Sequence, residues 1–271
     1  MKKSILWKIC GLGSLLLLVF IVVSCSKKRL YPPAYFYTDT KTIELCEAIS
    51  NADEKKITQL LQKGADINKV GKDGMTPLLW AFKCALKTKK QKIYEMVLKK
   101  GGNPNIVITG SGLKNKSVMY LVCMMDDSEY LEITLKYAKF KKDERVSVKD
   151  LINAIDASNS SLKKVKMLVA SGVDINKAYY GDVPIIFAAH LNQWHIVYYL
   201  LCAGADPKIK GNNSFDLAQI IEESNELMSR KGFRYKYLRK CAKFLKDKGI
   251  KVDDSKSQKY PEAGIKQFYE E

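Results

Sequence analysis

The phrase Gly64-Ala65-Asp66-Ile67-Asn68 decides the fold of this 271-residue chain, because variants of it return four times. They begin at Gly101, Gly172, Gly204 and, more loosely, Gly249, with successive spacings of 37, 71, 32 and 45 residues. Spacings near about 33 residues, or twice that, are typical of stacked repeats in which one supersecondary unit recurs. The double spacing before Gly172 predicts one unit that has lost its glycine.

Each of these glycines follows an apolar helical pattern, such as Val165, Leu168 and Val169, and so predicts a helix end with left-handed backbone. A second phrase opens two of the predicted units, as Thr-Pro-Leu-Leu-Trp-Ala at 76–81 and Val-Pro-Ile-Ile-Phe-Ala-Ala at 183–189. Proline favours the first turn of a helix, and alanine permits close packing. The predicted unit is therefore turn, helix, helix.

Together the two phrases resemble the ankyrin-repeat family, whose Thr-Pro-Leu-His-x-Ala-Ala motif is matched best between Asp182 and Asp206. Leu79 and Ile186 replace the family's histidine. The resemblance implies an all-α solenoid of about six helix-turn-helix units with short β-hairpin-like fingers, over residues 42–254. The third and sixth units are degenerate. The units are expected to start near Thr42, Gly74, Lys116, Val148, Asp182 and Asn213.

The amino terminus predicts export. Lys2, Lys3 and Lys8 precede an apolar run at residues 9–23, which is shorter than the roughly 18 to 20 residues of a membrane-spanning helix. We therefore expect a signal peptide over residues 1–24. An uncleaved membrane anchor is the alternative.

The apolar run ends in Val22-Val23-Ser24-Cys25, which resembles the lipobox of bacterial lipoproteins. The resemblance implies cleavage before Cys25, a thiol that carries diacylglycerol, and palmitate as a further lipid of the anchor. In that family an Asp after the cysteine retains the protein at the inner membrane. Ser26 stands there instead, which implies a lipid-anchored position at the outer membrane, facing the periplasm.

Two further segments flank the repeats. Residues 25–41 contain Pro32 and Pro33 and show no helical period, so we expect a lipidated, extended tether. Residues 255–271 lack a repeat phrase and are expected to form a C-terminal tail.

The chain is strongly basic, with 46 Lys and Arg against 29 Asp and Glu and a formal net charge of +17. Nucleic acid is not the expected partner, because export is predicted, no nucleic-acid motif is present and the lysines are spread over every predicted helix. A solvated lysine-rich face explains the charge without a function. The functional alternatives are an acidic protein partner, which we favour, and an anionic membrane surface.

Catalytic residues are not evident. The only two histidines, His190 and His195, lie five residues apart and do not share the helical face that a zinc motif needs. The chain has no nucleophile elbow, phosphate loop or Cys-x-x-Cys motif. We therefore predict no enzyme activity, no metal and no cofactor.

The cysteines offer one pair to check for a disulfide, Cys46 and Cys84, on the first helices of neighbouring units. Cys202 and Cys241 fall on second helices, where a cysteine usually serves as a small buried hydrophobic residue.

Partner binding is expected at the fingers and at the exposed side of the first helices. The best candidate finger is residues 177–182, in which two adjacent tyrosines precede a glycine. Tyrosine is a favoured interface anchor, although one ring covering the neighbouring finger is the alternative. Residues 87–92, between the helices of the second repeat, and residues 224–234, within the sixth, are expected to be inserted segments that form loops at one edge of the stack. The predicted binding residues are Lys72, Asp73, Lys83, Lys177, Tyr179, Tyr180, His190, Lys210 and Asn212.

A lipid-anchored ankyrin protein resembles the immunity lipoproteins that protect bacteria from phospholipase toxins of the type six secretion system. The resemblance implies a membrane-anchored binding module that neutralises an acidic, lipase-type toxin in the periplasm. The alternative is a structural adaptor that tethers one of the cell's own envelope enzymes or assembly factors.

Overall fold

A computed structural model describes residues 30–110, 113–139, 146–157, 161–228, 230 and 232–253. The chain divides into two compact units, Met1–Arg145 (unit 1) and Val146–Glu271 (unit 2). The described residues of each unit form three successive pairs of α-helices. The predicted all-α architecture of six helix pairs is confirmed.

Unit 1 begins with a short 3₁₀ helix at Pro33–Tyr35 and continues with three helix pairs. These are α1 (Thr40–Ser50) with α2 (Glu54–Gln62), α3 (Pro77–Thr88) with α4 (Gln91–Lys99), and α5 (Val118–Met124) with α6 (Glu129–Tyr137).

Unit 2 contains the other three helix pairs. These are α7 (Val148–Asp156) with α8 (Leu162–Ala170), α9 (Pro184–His190) with α10 (Trp194–Cys202), and α11 (Leu217–Leu227) with α12 (Gly232–Asp247).

Several first helices of the pairs begin at residues whose side chains cap them. The Thr76 hydroxyl accepts a hydrogen bond from the Leu79 N–H at 3.1 Å, and Pro77 occupies the first turn of α3. Ser117 caps α5 in the same way through the Tyr120 N–H at 3.2 Å. Such caps satisfy backbone donors that have no partner inside the helix. The opening phrase at 76–81 thus marks a helix start, as predicted.

Each unit buries apolar side chains between its helices. In unit 1 the fully or nearly fully buried residues include Leu45, Ile49, Leu79, Trp80 and Tyr94. In unit 2 they include Ile185, Trp194, Leu200, Leu217 and Leu245. Burial of such side chains stabilises each one by about 1.5 to 3 kcal/mol relative to exposure.

The repeated Gly-Ala-Asp-Ile-Asn phrase joins neighbouring helix pairs. Gly64 follows α2 with a φ of 85°, and the Asp66 carboxylate accepts a hydrogen bond from the Asn68 N–H at 2.8 Å. The Asn68 side chain then donates to the Gly101 carbonyl at 3.0 Å and accepts from the Asn103 N–H at 2.7 Å. Gly101 and Asn103 belong to the next copy of the phrase, so these two hydrogen bonds join neighbouring copies.

Unit 2 repeats this joint. Gly172 has a φ of 89°, and Asn176 donates to the Gly204 carbonyl at 3.4 Å and accepts from the Asp206 N–H at 2.8 Å. The repeat that lacks the glycine is the third one, formed by α5 and α6 in unit 1. After α6 the chain continues through Ala138, which has a φ of −65°. The double spacing in the sequence has this origin.

The chain before α1 is packed, which corrects the prediction of an extended tether up to residue 41. Phe36 and Tyr37 are buried, and the Tyr37 hydroxyl donates to the Met75 carbonyl at 2.9 Å. The Phe36 ring lies edge-on to Trp80, with centroids 6.3 Å apart. The packed structure of unit 1 therefore includes residues that precede α1.

The two predicted inserted segments are mostly helical. α3 continues to Thr88 and α4 begins at Gln91, so residues 87–92 do not form the expected loop. Residues 224–234 likewise complete α11, which ends at Leu227, and begin α12. Lysine suits a helix as well as a loop, and the extra residues lengthen helices instead of connections.

The cysteines in the described residues are free thiols, so Cys46 and Cys84 form no disulfide. Both are buried, and burial raises the pKa of the Cys46 thiol to about 12. Ser50 lies beside them, donating to the Cys46 carbonyl at 2.9 Å and lying 3.7 Å from the Cys84 sulfur. Cys241 is buried as expected, whereas Cys202 is exposed and corrects its expected burial.

Candidate partner-binding fingers

Residues 177–182 of unit 2, called finger A, form a two-residue β-hairpin turn. Tyr179 and Asp182 form an antiparallel bridge, in which the Tyr179 N–H donates to the Asp182 carbonyl at 2.9 Å. Between them Tyr180 and Gly181 have φ values of 51° and 85°. Positive φ at both central residues is the mark of a type I′ turn. Ile108 and Lys116 form a similar bridge in unit 1, so the predicted hairpin-like fingers are present in both units.

Tyr180 combines an unfavourable backbone with an exposed ring. It is the only aromatic residue with positive φ in the part of the chain that the structure describes, and its relative exposure is 85%. At the corresponding turn of unit 1, Asp73 and Gly74 have φ values of 60° and 72°. Asp tolerates this conformation, whereas a bulky residue there is strained by about 1 to 2 kcal/mol. The ring of Tyr179, half-buried, lies 4.4 Å away and tilted by 60°.

Finger B, residues 210–215, supports the turn of finger A. The Asn212 side chain donates to the Tyr180 carbonyl at 2.7 Å, and the Asn212 N–H donates to the Asp182 carboxylate at 3.0 Å. A Cβ atom on Gly181 would lie 1.8 Å from the Asn212 side-chain oxygen, so only glycine permits this approach. The Asn212 amide thus holds finger A in place, and its part in partner binding stays a prediction.

The remaining predicted residues of unit 2 are exposed around the two fingers. Lys177 is exposed on finger A and Lys210 on finger B. His190 is exposed at the end of α9, and its Nε2 atom lies 3.4 Å from the Asn213 side-chain nitrogen of finger B. Unit 2 therefore brings two cations and an imidazole to the same fingers that carry the tyrosines.

Three predicted residues belong to unit 1. Lys72 and Asp73 are exposed in the 3₁₀ turn Lys72–Gly74, and Lys83 is half-buried on α3. The Lys72 ammonium lies 4.1 Å from the centroid of the Tyr35 ring. The packed segment before α1 thus supports this side chain, a contact that the sequence did not indicate.

The surroundings of the second histidine are aromatic. The His195 ring lies 5.4 Å from Phe233 and 6.2 Å from Tyr237, and burial together with the nearby Arg234 cation lowers its pKa. In the described residues no group of three or more His, Cys, Asp or Glu side chains is arranged to hold a metal ion. The absence of catalysis and of a cofactor stays a prediction.

The predicted lipidation site, Cys25, lies outside the described residues, so the lipid anchor stays a prediction. None of the helices in the described part of the chain has the length and apolar character needed to cross a membrane.

The basic side chains of the second helices are concentrated in unit 2. The prediction that lysines are spread over every helix is wrong, because α10 contains none. In unit 1, α2, α4 and α6 together contain five basic and four acidic residues. In unit 2, α8, α10 and α12 contain nine basic residues and one acidic residue. A comparison of acids and bases helix by helix would have revealed this surface from the sequence.

Comparisons with known proteins agree with this geometry. Residues 180–212 match the family model of the ankyrin repeat. No curated protein matches the chain. The ankyrin repeat domain of Bcl-3, of the IκB protein family, is 17% identical, with a TM-score of 0.55 over 77% of this chain and 86% of that chain.

Two further solved structures are similar. The ankyrin repeat protein EF0377 is 24% identical, with a TM-score of 0.52 over 76% of this chain and 97% of that one. The ankyrin repeat domain ABAYE2397 from Acinetobacter baumannii AYE is 22% identical, with a TM-score of 0.54 over 76% of this chain and 98% of that one. The helix pairs, the fingers and these similarities together identify the all-α fold as that of ankyrin-repeat proteins.

Proposed function

We propose that this protein binds a protein partner through fingers A and B and acts as an immunity protein that neutralises a phospholipase toxin of the type six secretion system. Ankyrin repeats are protein-binding modules, and repeat proteins of this kind use extended surfaces formed by successive units. The proposal assigns the contact to unit 2 and the partner to the class of secreted toxins.

The observation that carries the proposal is the conformation of Tyr180. Strained backbone is retained where the surrounding structure enforces it, and such positions cluster at binding sites. Here the Asn212 amide and Gly181 hold the strained turn, and the turn presents the tyrosine ring to solvent. Tyr is among the residues that most often dominate binding energy, and a ring held in advance loses little entropy on binding.

The charge of the chain supports an acidic partner. Lys177 and Lys210 are exposed on the two fingers, and the whole chain has a formal net charge of +17. A complementary field of this kind raises the association rate more than it raises affinity. Fast capture suits a protein that must meet an incoming toxin before the toxin reaches lipid.

The predicted anchor at Cys25 supports the same role. A lipid anchor at the outer membrane would hold the antidote in the periplasm beside the phospholipids that the toxin attacks. Confinement to that surface raises the effective concentration of the binding module.

A pull-down of the chain from Ser26 onward against the product of the neighbouring gene tests the proposal, followed by a phospholipase assay with and without the chain. We expect tight binding and loss of lipase activity. Tyr180→Asn removes the ring and should weaken binding by about 30-fold or more. Tyr31→Asn is the matched control, because Tyr31 is also an exposed tyrosine, at 61%, but lies in unit 1.

Two outcomes would contradict the proposal. Equal weakening by Tyr180→Asn and Tyr31→Asn would remove the fingers as the site. A neighbouring gene product that neither binds nor harms the cell would remove the immunity role, and the adaptor that tethers an envelope protein would replace it.

A further inference from the structure

The second helices of unit 2 place an uncharged helix between two basic ones. α10 contacts both α8 and α12. Its sequence contains no Lys, Arg, Asp or Glu, while α12 has six basic residues and one acidic residue. α8 has three lysines, of which Lys163 and Lys166 are exposed and Lys164 is buried. The outward side of these three helices therefore carries rings in the middle and cations at both sides.

Cations from both sides lie over the rings of α10. The Lys166 ammonium of α8 is 5.6 Å from the Tyr199 ring centroid. The Lys240 ammonium of α12 is 5.4 Å from the Tyr198 centroid and 4.8 Å from the Tyr237 centroid. Contacts of this length are cation–π interactions, which fix the ammonium groups while leaving them next to solvent.

The outward side of α12 is basic along its length. Lys236, Lys240 and Lys243 are exposed and recur at the spacing of one helical face, opposite the buried Leu238 and Leu245. The acidic residue of this helix, Asp247, is within 3.1 Å of Lys243. A helix that is this one-sided in charge has a field suited to a polyanionic surface.

An exposed aromatic residue begins the same helix. Phe233 is 59% exposed, and its ring lies 4.8 Å from Tyr237 and 5.4 Å from His195. An apolar ring beside several cations is the combination that proteins use at the boundary between lipid headgroups and acyl chains.

We propose that the outward face of α8, α10 and α12 binds anionic phospholipid headgroups at a membrane surface. The lysines would contact the headgroup phosphates, and Phe233 would enter the interfacial layer. Each basic residue near an anionic leaflet adds to such binding, and salt weakens it. This proposal is independent of the fingers and of the toxin.

The arrangement of the rings favours lipid over single-stranded nucleic acid. Nucleic-acid surfaces stack bases on free aromatic faces. Here Lys166 lies over Tyr199, and Lys240 lies over Tyr198 and Tyr237. The remaining close ring pairs are tilted by 52° to 72°, so they form no flat platform. Phosphate binding by the cations needs no such platform.

Vesicle co-sedimentation tests the proposal with the chain from Ser26 onward, which contains every described helix but not the predicted anchor. The probes are vesicles of phosphatidylcholine alone and of phosphatidylcholine mixed with phosphatidylglycerol. We expect binding only to the mixed vesicles, weakened by added salt. The triple variant Lys166→Gln, Lys236→Gln, Lys240→Gln should lower this binding by about tenfold or more.

The matched control has the same net charge but loses its lysines from the second helices of unit 1, as Lys55→Gln, Lys92→Gln, Lys136→Gln. It should lower vesicle binding by less than about threefold. Phe233→Ser should weaken binding to mixed vesicles without changing its dependence on salt. Circular dichroism of each variant shows whether the fold is retained.

Three results would overturn the proposal. The first is an absence of binding to mixed vesicles. The second is an equal loss in the two triple variants, which would show that net charge alone acts. The third is competition in which single-stranded DNA displaces the vesicles at lower concentration, which would assign the face to nucleic acid. None of these results bears on the pull-down of the finger variants.

Discussion

Tyr180 occupies the backbone conformation that Asp73 occupies at the corresponding turn of unit 1. Because Asn tolerates left-handed backbone and Tyr does not, we expect Tyr180→Asn to raise the free energy of unfolding by about 1 kcal/mol. The reverse change, Asp73→Tyr, should lower it by a similar amount. Urea-induced unfolding followed by circular dichroism measures both. A loss of stability in Tyr180→Asn would show that ring packing outweighs the strain.

The same residue illustrates what sequence reasoning finds at this scale. Adjacent tyrosines before a glycine were enough to select finger A, because turn chemistry is local. The role of Asn212 was not accessible, since its partner, the Tyr180 carbonyl, lies 32 residues away. The support of Lys72 by Tyr35 was missed for the same reason.

Two glycines of unit 2 allow the cost of a left-handed backbone to be distinguished from the cost of a close contact. Gly172 and Gly181 have φ values of 89° and 85°, but a Cβ atom on Gly172 would meet nothing within 4 Å. Gly172→Ala should therefore cost only the conformational term, about 1 kcal/mol. Gly181→Ala should cost at least about 1 kcal/mol more, because its methyl group displaces the Asn212 side chain.

Thermal and urea unfolding of the two alanine variants test this difference. Similar losses of stability in both would mean that finger B moves aside without cost, and the rigidity of finger A would then have another origin.

The joints between helix pairs allow a second prediction at the scale of elements. Asn176→Ala removes two hydrogen bonds between neighbouring copies of the phrase, and we expect a loss of about 1 kcal/mol. Asn176→Asp keeps an oxygen that accepts from the Asp206 N–H and should lose less. Equal losses would show that the donated bond to Gly204, which is 3.4 Å long, dominates the joint.

At this scale the sequence predicted most of the fold. All six helix pairs occur near the expected starts, because caps and positive-φ glycines act within a few residues. The residues between the helices of the second pair were misjudged, since a run of lysines is compatible with helix and with loop. The packing of Phe36 was missed because it depends on Trp80, more than forty residues along the chain. That of Tyr37 depends on Met75, 38 residues along the chain.

For the whole molecule, the formal net charge of +17 opposes the folded state through self-repulsion. The ion pairs Lys56–Glu44, Lys100–Glu54 and Lys243–Asp247 join partly or largely exposed side chains, and such pairs contribute little to stability. We therefore expect the melting temperature to rise between very low salt and about 0.15 M salt, where the Debye length is about 8 Å.

Differential scanning calorimetry across that range measures the effect. At low salt the triple variant of the unit 2 lysines should melt at a higher temperature than the triple variant of unit 1. The lysines that it removes come from the helices with the larger excess of positive charge, so more repulsion is relieved. A melting temperature that falls with added salt would show that attraction between charges exceeds repulsion.

The joint made by Asn68 and Asn176 has an evolutionary consequence. The copies at Gly64 and Gly172 each offer an amide at the fifth position, and the following copy receives it with a carbonyl at its first position and an N–H at its third. A copy that ends in asparagine can therefore bond to any following copy that presents the same two backbone groups. Duplication of one unit in the gene would insert a length of chain whose two ends already fit their new neighbours. The array is able to grow or shrink by whole units without the invention of a new interface.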